Sequence, residues 1–140
     1  METFLINGDE IVLNENTFLV SETDKNGIII SANSDFCEIS GYELDELLGK
    51  PHNIIKHQDI PKDILNDLKN STKNGVIWKG VIKNKTKDST KFYWTFSIII
   101  PTGDKYQKRF LCLSTKPLED EIKSTKMIFE ILNQCSQIAT

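Results

Sequence analysis

The chain has 140 residues, 39% hydrophobic and 26% charged, with a formal net charge of −3. That is one domain's length, enough to bury a core without disulfides or metals, and no basic excess is available to neutralise nucleic-acid phosphates. The opening "METFLINGDEIVLN" lacks a basic start and a long apolar run, and no stretch approaches the ~20 residues of a membrane span, so the expectation is a cytoplasmic protein without direct membrane insertion.

Residues 1–16 are mixed and read as an N-terminal cap. "TFLVSETD" (17–24) is a strand, "KNG" a turn, and "IIISAN" (28–33) a second strand, together a hairpin. Ser34 is placed to cap a short helix with Phe36 and Ile39 inward and Gly41 at its end. "ELDELLGK" is another brief helix, closed by Gly49. A longer helix begins near Pro61, carries Ile64, Leu65 and Leu68 on one stripe, and stops at Gly75. Three strands follow, at residues 76–87, 90–101 and 108–117. Tyr93 and Trp94 must face opposite ways, one inward and one outward under a neighbouring helix. The last segment is helical, with Leu118, Ile122, Thr125, Ile128, Ile131, Leu132, Cys135 and Ile138 in one seam. This order predicts an α+β domain with a five-stranded antiparallel sheet, short helices over one face and a C-terminal amphipathic helix. The divisions are 1–16, 17–117 and 118–140.

Cys37, Cys112 and Cys135 are scattered, with no CxxC pair, so neither a zinc site nor a disulfide framework is expected. No nucleophile–base–orienter set and no glycine-rich phosphate loop appears, so catalysis is not expected. The chemistry concentrates in "GKPHNIIKHQDIPKD" (49–63), which holds both histidines.

That stretch, with "FLVSETDKNGIIISANSDFCEISGYELDELL" before it, resembles the first half of a PAS sensor domain. More narrowly, it is similar to the PAS domains of bacterial aerotaxis and energy-taxis receptors, whose hallmark reads G-K/Q-P-H-N-I/L-V/I-R-H-P-D-M-P. Here the motif runs from Gly49 to Pro61, with Lys56, Gln58 and Ile60 where the family has Arg, Pro and Met. "VIWKGVIKNKTKDSTKFYW" resembles the subgroup's second segment. The resemblance implies a cytoplasmic redox sensor with non-covalent FAD, signalling to a methyl-accepting chemotaxis receptor, here in trans or at the inner membrane face through that partner. It also implies that the ring lies near Trp78 and Asn84, and that phosphates or adenine reach toward Lys56, His57 and Asp59.

The residues carry their own readings beside this one. Trp78 and Asn84 are six apart on a strand and share a face. An indole can wall a flat ring, and an amide presents the donor and acceptor that complement a flavin's pyrimidine edge. His57 can exchange hydrogen bonds with a polar cofactor edge, or pack in its loop. His52 and Asn53 are turn chemistry first. Asp59 sits where it could cap the next helix, and Asn33 matches a family asparagine or caps the first helix. Lys56 keeps the arginine's charge but not its planar fork. FMN and haem, the latter through His57, are the other cofactors considered. Adduct photochemistry is not expected, because "HNIIKHQD" has no cysteine. A cofactor-free docking module, dimerising through the terminal helix, is the alternative function.

Overall fold

The computed structural model describes residues 3–139, with side chains described to residue 136. Twelve elements follow one another: β1 (Phe4–Asn7), β2 (Glu10–Leu13), β3 (Leu19–Asp24), β4 (Ile29–Ala32), α1 (Ser34–Ser40), α2 (Leu44–Leu47), a short 3-10 turn (His52–Ile55), α3 (Lys62–Lys73), β5 (Trp78–Lys85), β6 (Phe92–Thr102), β7 (Arg109–Thr115) and α4 (Glu119–Ala139). The expected five strands form the antiparallel order β4-β3-β7-β6-β5. The sheet has seven strands in all, because the 1–16 segment forms a hairpin, β1–β2, that joins it. Strand β7 pairs with β6 only from Phe96 onward. The start of that edge is left open, and β2 fills it in parallel, Glu10 beside Phe92 and Ile11 beside Tyr93.

Local signals set the first helix. Its cap is Asn33 rather than Ser34, which is the first helical residue. The Asn33 carboxamide oxygen accepts from Phe36 N and Val20 N, each at 3.1 Å, and its Nδ2 donates to Phe18 O at 2.8 Å. One side chain thus caps α1 and pins it to β3. Gly41 closes the helix at φ 82°, a left-handed turn that suits glycine. Phe36 and Ile39 face inward, as their spacing predicts.

The period of two along β6 separates its faces. Tyr93 joins Ile11, Leu19, Ile29, Phe36 and Ile55 on the side of the helical middle. Trp94 points the other way and meets Phe129 of α4, ring centroids 5.7 Å apart. The terminal helix therefore folds back over its own sheet. Its face there is Phe129, with Ile122 packed on the same cluster and Thr125 and Leu132 half-buried. Leu118, Ile128, Ile131 and Cys135, expected in the same seam, are exposed instead, as is Met127. Ile138 lies outside the described side chains. No helix among the described residues is long and apolar enough to cross a membrane.

The two sides of α4 should respond differently to truncation. Phe129→Ala removes a buried ring and should cost about 3–5 kcal/mol. Ile131→Ser, on the exposed side, should leave the monomer's stability within about 0.5 kcal/mol of the parent when both are measured below the concentration at which the chain self-associates. Urea denaturation of the two variants checks both values.

Candidate functional site

Residues 49–57 form a strap across the concave face of the sheet. At its start Pro51 bridges to Ile28, Gly49 N donates to Ile29 O, and Ile29 N donates to Lys50 O, all on the outer edge of β4. At its end Lys56 bridges to Asn84 and His57 N donates to Lys83 O, on the outer edge of β5. Five residue steps reach at most about 18 Å, and the 3-10 turn shortens them. The outer strands of a flat five-stranded sheet lie about 19 Å apart. The strap closes only because the sheet curls beneath it.

Under the strap the sheet presents polar groups. Ser21 on β3, Thr95 and Ser97 on β6, Ser114 on β7 and Asn84 on β5 are all buried. Asn84 Nδ2 donates to Thr95 Oγ1 at 3.0 Å. Thr95 and Ser97 hydroxyls are 2.9 Å apart, Ser97 and Ser114 2.7 Å, and Cys112 Sγ lies 3.8 Å from Ser114 Oγ. From the strap side, Lys56 Nζ is 3.5 Å from His52 Nδ1, and His52 Nε2 is 3.0 Å from Ser21 Oγ. The amine donates, so Nδ1 accepts, and Nε2 carries the hydrogen that it gives to Ser21. The Asn84 amide starts a second run, Thr95 to Ser97 to Ser114. The two runs of donors converge at the Cys112 sulfur, since Ser21 also faces it.

The electrostatics follow from enclosure. Burial, and then the Lys56 charge, push the His52 imidazole from 6.5 down to about 3. Burial lowers Lys56 too, with Cys112 opposing and Lys69 assisting. The Lys56 amine lies deep while its stem keeps some surface, and among the described residues no carboxylate pairs with it. Burial raises the Cys112 thiol, which keeps it protonated. Free space at this face is about 20 Å³, room for about one water. Leu19, Phe36, Ile55, Ile82, Tyr93 and Ile99 complete its walls. A wider mouth of about 80 Å³, shared by His52, Lys56, Ile99 and Cys112, opens toward Leu68, Thr72 and Phe110.

The eight residues singled out in the sequence divide. Asn84, His52 and Lys56 meet at this inner face. Trp78 shares that face of β5, but its indole lies along the strand over Gly80, and Nε1 donates to Asp67 of α3 at 3.0 Å. Asn33 caps α1, and Asn53 is exposed on the strap. His57 and Asp59 turn to the sheet edge near α4. Asp59 N donates to His57 Nδ1 at 3.0 Å, Lys83 Nζ donates to Asp59 Oδ2 at 2.7 Å, and Asn133 Nδ2 of α4 donates to Asp59 O at 3.0 Å. The Lys83 hydrogen bond holds the Asp59 carboxyl below its usual range. Ser21, Thr95, Ser97, Cys112 and Ser114 were not singled out. Their signal was small polar residues alternating with aromatic and aliphatic ones, as in "YWTFSI". Among the described residues no cluster of His, Cys, Asp and Glu is placed to hold a metal.

A curled antiparallel sheet with an internal polar face, roofed by short helices and a strap, is the PAS architecture. The sequence agrees: the PAS domain model matches residues 15–115, and the chain belongs to the PAS domain family. It is 33% identical over 122 residues to the aerotaxis receptor of Escherichia coli (strain K12), covering 86% of this chain and 24% of that protein. The chain thus spans about a quarter of that receptor's length. Among solved structures it is similar to a light-oxygen-voltage domain studied through a flavin analogue, with TM-score 0.66, 22% identity and 81% and 85% of the two chains covered. It is also similar to a PAS domain from Colwellia psychrerythraea, with TM-score 0.62, 24% identity and 71% and 86% covered.

The depressed His52 has a consequence for stability. Between pH 6.5 and about 3 the unfolded chain binds a proton that the folded chain refuses. Stability is therefore full above pH 6.5 and falls as pH drops, by up to about 1.4 kcal/mol per unit from this residue. Burial depresses His57 in the same direction, while Asp59 adds its loss only below 3.8. His52→Gln should flatten the slope between pH 6.5 and 4.5, measured as urea midpoints. An unchanged slope would mean that His52 is not held neutral.

Proposed function

We propose that this domain is a redox sensor of the aerotaxis kind, which holds FAD between the inner sheet face and the strap. The carrying observation is the row of buried hydroxyls and the amide on that face, with an amine beside it that no carboxylate among the described residues neutralises. Buried polar groups are costly unless partnered, and a sheet face packed on a core is ordinarily apolar. Donors, acceptors and a cation between aliphatic walls fit the edges and faces of a flavin ring. Its entry requires the strap and helical middle to part from the sheet, since the present free space is about 20 Å³.

A bound flavin supplies reversible electron transfer. The protein's part is to read the change. In the row Asn84–Thr95–Ser97–Ser114 the Asn84 amide donates to Thr95, and in each following hydroxyl pair either oxygen can be the donor, so the direction along the row can reverse. A changed donor pattern at Asn84 or Thr95 turns the following hydroxyls and alters the hold on the strap. The residues just after the strap touch α4, through the Asp59 carbonyl and Asn133. The seat of α4 is imperfect, because the buried Trp94 Nε1 has no hydrogen-bond partner among the described residues. Such an orphan costs about 1–3 kcal/mol, which favours α4 as the element that shifts. Differential interaction of two redox states with these groups is the required energy source. The exposed side of α4, Met127, Ile128 and Ile131, then serves a second copy in a homodimer and transmits to a chemotaxis receptor at the inner face of the membrane.

The purified protein should show a two-banded flavin spectrum that bleaches with dithionite, and heat should release FAD. Asn84→Ala should weaken FAD binding about ten-fold, the worth of one lost hydrogen bond. A protein that stays colourless after incubation with FAD would leave the docking-module reading, and a red protein the haem one. Separately, an Ile128→Glu/Ile131→Glu variant should run as a monomer by light scattering at concentrations where the parent is dimeric. A monomeric parent would remove the homodimer.

A further inference from the structure

Beyond the mouth lies a groove of about 450 Å³ that neither motif reaches. Five cations line it: Lys25 from the β3–β4 turn, Lys73 from the end of α3, Lys105 and Lys108 from the β6–β7 connection, and Arg109 from the start of β7. None of the five forms an ion pair with a carboxylate among the described residues. Lys105 lies over the Tyr106 ring, 5.0 Å from its centroid. The one acid in the lining, Asp104, accepts from Tyr106 N and Gln107 N, each at 2.8 Å, and these bonds hold its carboxyl below the usual range. Asp24 nearby is likewise turned to backbone, accepting from Asn26 N and Ile28 N. The lining therefore carries an excess of four positive charges in a chain whose net charge is −3.

The groove adjoins the inner face through shared walls. It shares Thr72 and Phe110 with the mouth, and the mouth shares Lys56 and His52 with the inner cavity. Lys56 is thus the innermost of a line of cations that runs out to the surface. The turn presenting Lys105 and Lys108 is set, since Gly103 sits at φ +80° and a Cβ there would lie 2.0 Å from Gln107 O. A ligand suited to this path has a neutral, hydrogen-bonding head and a tail with more than one negative charge.

We propose that the groove formed by Lys25, Lys73, Lys105, Lys108 and Arg109 seats the diphosphate of the dinucleotide, with Lys56 where the tail leaves the cavity. This rests on the flavin reading and deepens it. It also assigns the anionic half of the ligand away from His57 and Asp59, which turn toward α4. Cations and phosphate oxygens form charge-assisted hydrogen bonds, and at the surface their attraction is weakened by salt. The groove therefore selects FAD over riboflavin, and does so most strongly at low ionic strength.

The test uses the full chain and a Lys105→Glu/Lys108→Glu variant. Both lysines are exposed, so folding is not at stake. A Lys62→Glu/Lys123→Glu variant makes the same charge change elsewhere, at the far end of α3 and on α4. Dissociation constants for FAD, FMN and riboflavin are measured by flavin fluorescence at two salt concentrations. The parent should prefer FAD to riboflavin, and the preference should shrink with salt. The groove variant should lose about ten-fold or more in FAD affinity and keep its riboflavin affinity, while the control matches the parent. Equal FAD affinity in the groove variant and the parent overturns the proposal, as does an equal loss in the control. FMN binding as tight as FAD in the parent also overturns it, because one phosphate then suffices. A parent that binds riboflavin but gains nothing from the dinucleotide leaves the flavin reading standing without the groove; a parent that binds no flavin overturns both.

Discussion

The strap from Gly49 to His57 is the constraint on which the rest depends. It is tied by backbone hydrogen bonds to both outer edges of the five-stranded antiparallel sheet, at β4 and at β5. A segment that short cannot span a flat sheet, so the sheet must curl. Curling makes one face concave, and the concavity is where a site can be. The same ties cover two edges that would otherwise offer unpaired backbone groups to other chains. One connection thus sets the sheet's curvature, roofs its inner face and protects its margins.

Strand β6 divides the molecule's labour. Its Tyr93, Thr95, Ser97 and Ile99 face the strap, and Trp94 faces α4. The inner side carries hydroxyls in contact with each other, so any change in hydrogen bonding there travels along the row. The outer side carries aromatic packing, which answers to position and not to protons. A single strand therefore stands between a polar site and an apolar helix seat. Its neighbours β5 and β7 hold its register over most of its length.

The motif's charged residues divide the same way. Lys56 and His52 turn under the strap, where burial disfavours their charged forms. His57 and Asp59 turn outward, to Lys83 and to Asn133 of α4. Neighbours in sequence thus belong to two environments, one enclosed and one half-open. A displacement at Lys56 is felt at His57 and Asp59 because the backbone between them is only one to three peptides long. This is a physical link between the inner face and the terminal helix that involves no long pathway.

Much of the fold was legible in the chain. The period of two marked β3, β5, β6 and β7, the 3.6 period marked α3, and glycines marked the ends of α1 and α3, because these signals are local and each residue carries its own part. The resemblance of residues 49–61 to a PAS motif pointed to the family. The N-terminal hairpin was not legible, since its place depends on an edge of β6 that β7 leaves open. The seam of α4 was half right: spacing alone cannot say which of two apolar stripes meets the sheet, and Trp94 decided for Phe129. The hydroxyls of Ser21, Thr95, Ser97 and Ser114 come from three strands far apart in sequence, and only pairing in register brings them onto one face. The sequence by itself determined the elements from β3 to α4, the family and the polar alternation along the strands. The tertiary structure alone decided which polar residues share a face, that Lys56 and His57 part company, and that five distant cations line one groove, because direction and proximity arise only when strands pair and the sheet curls.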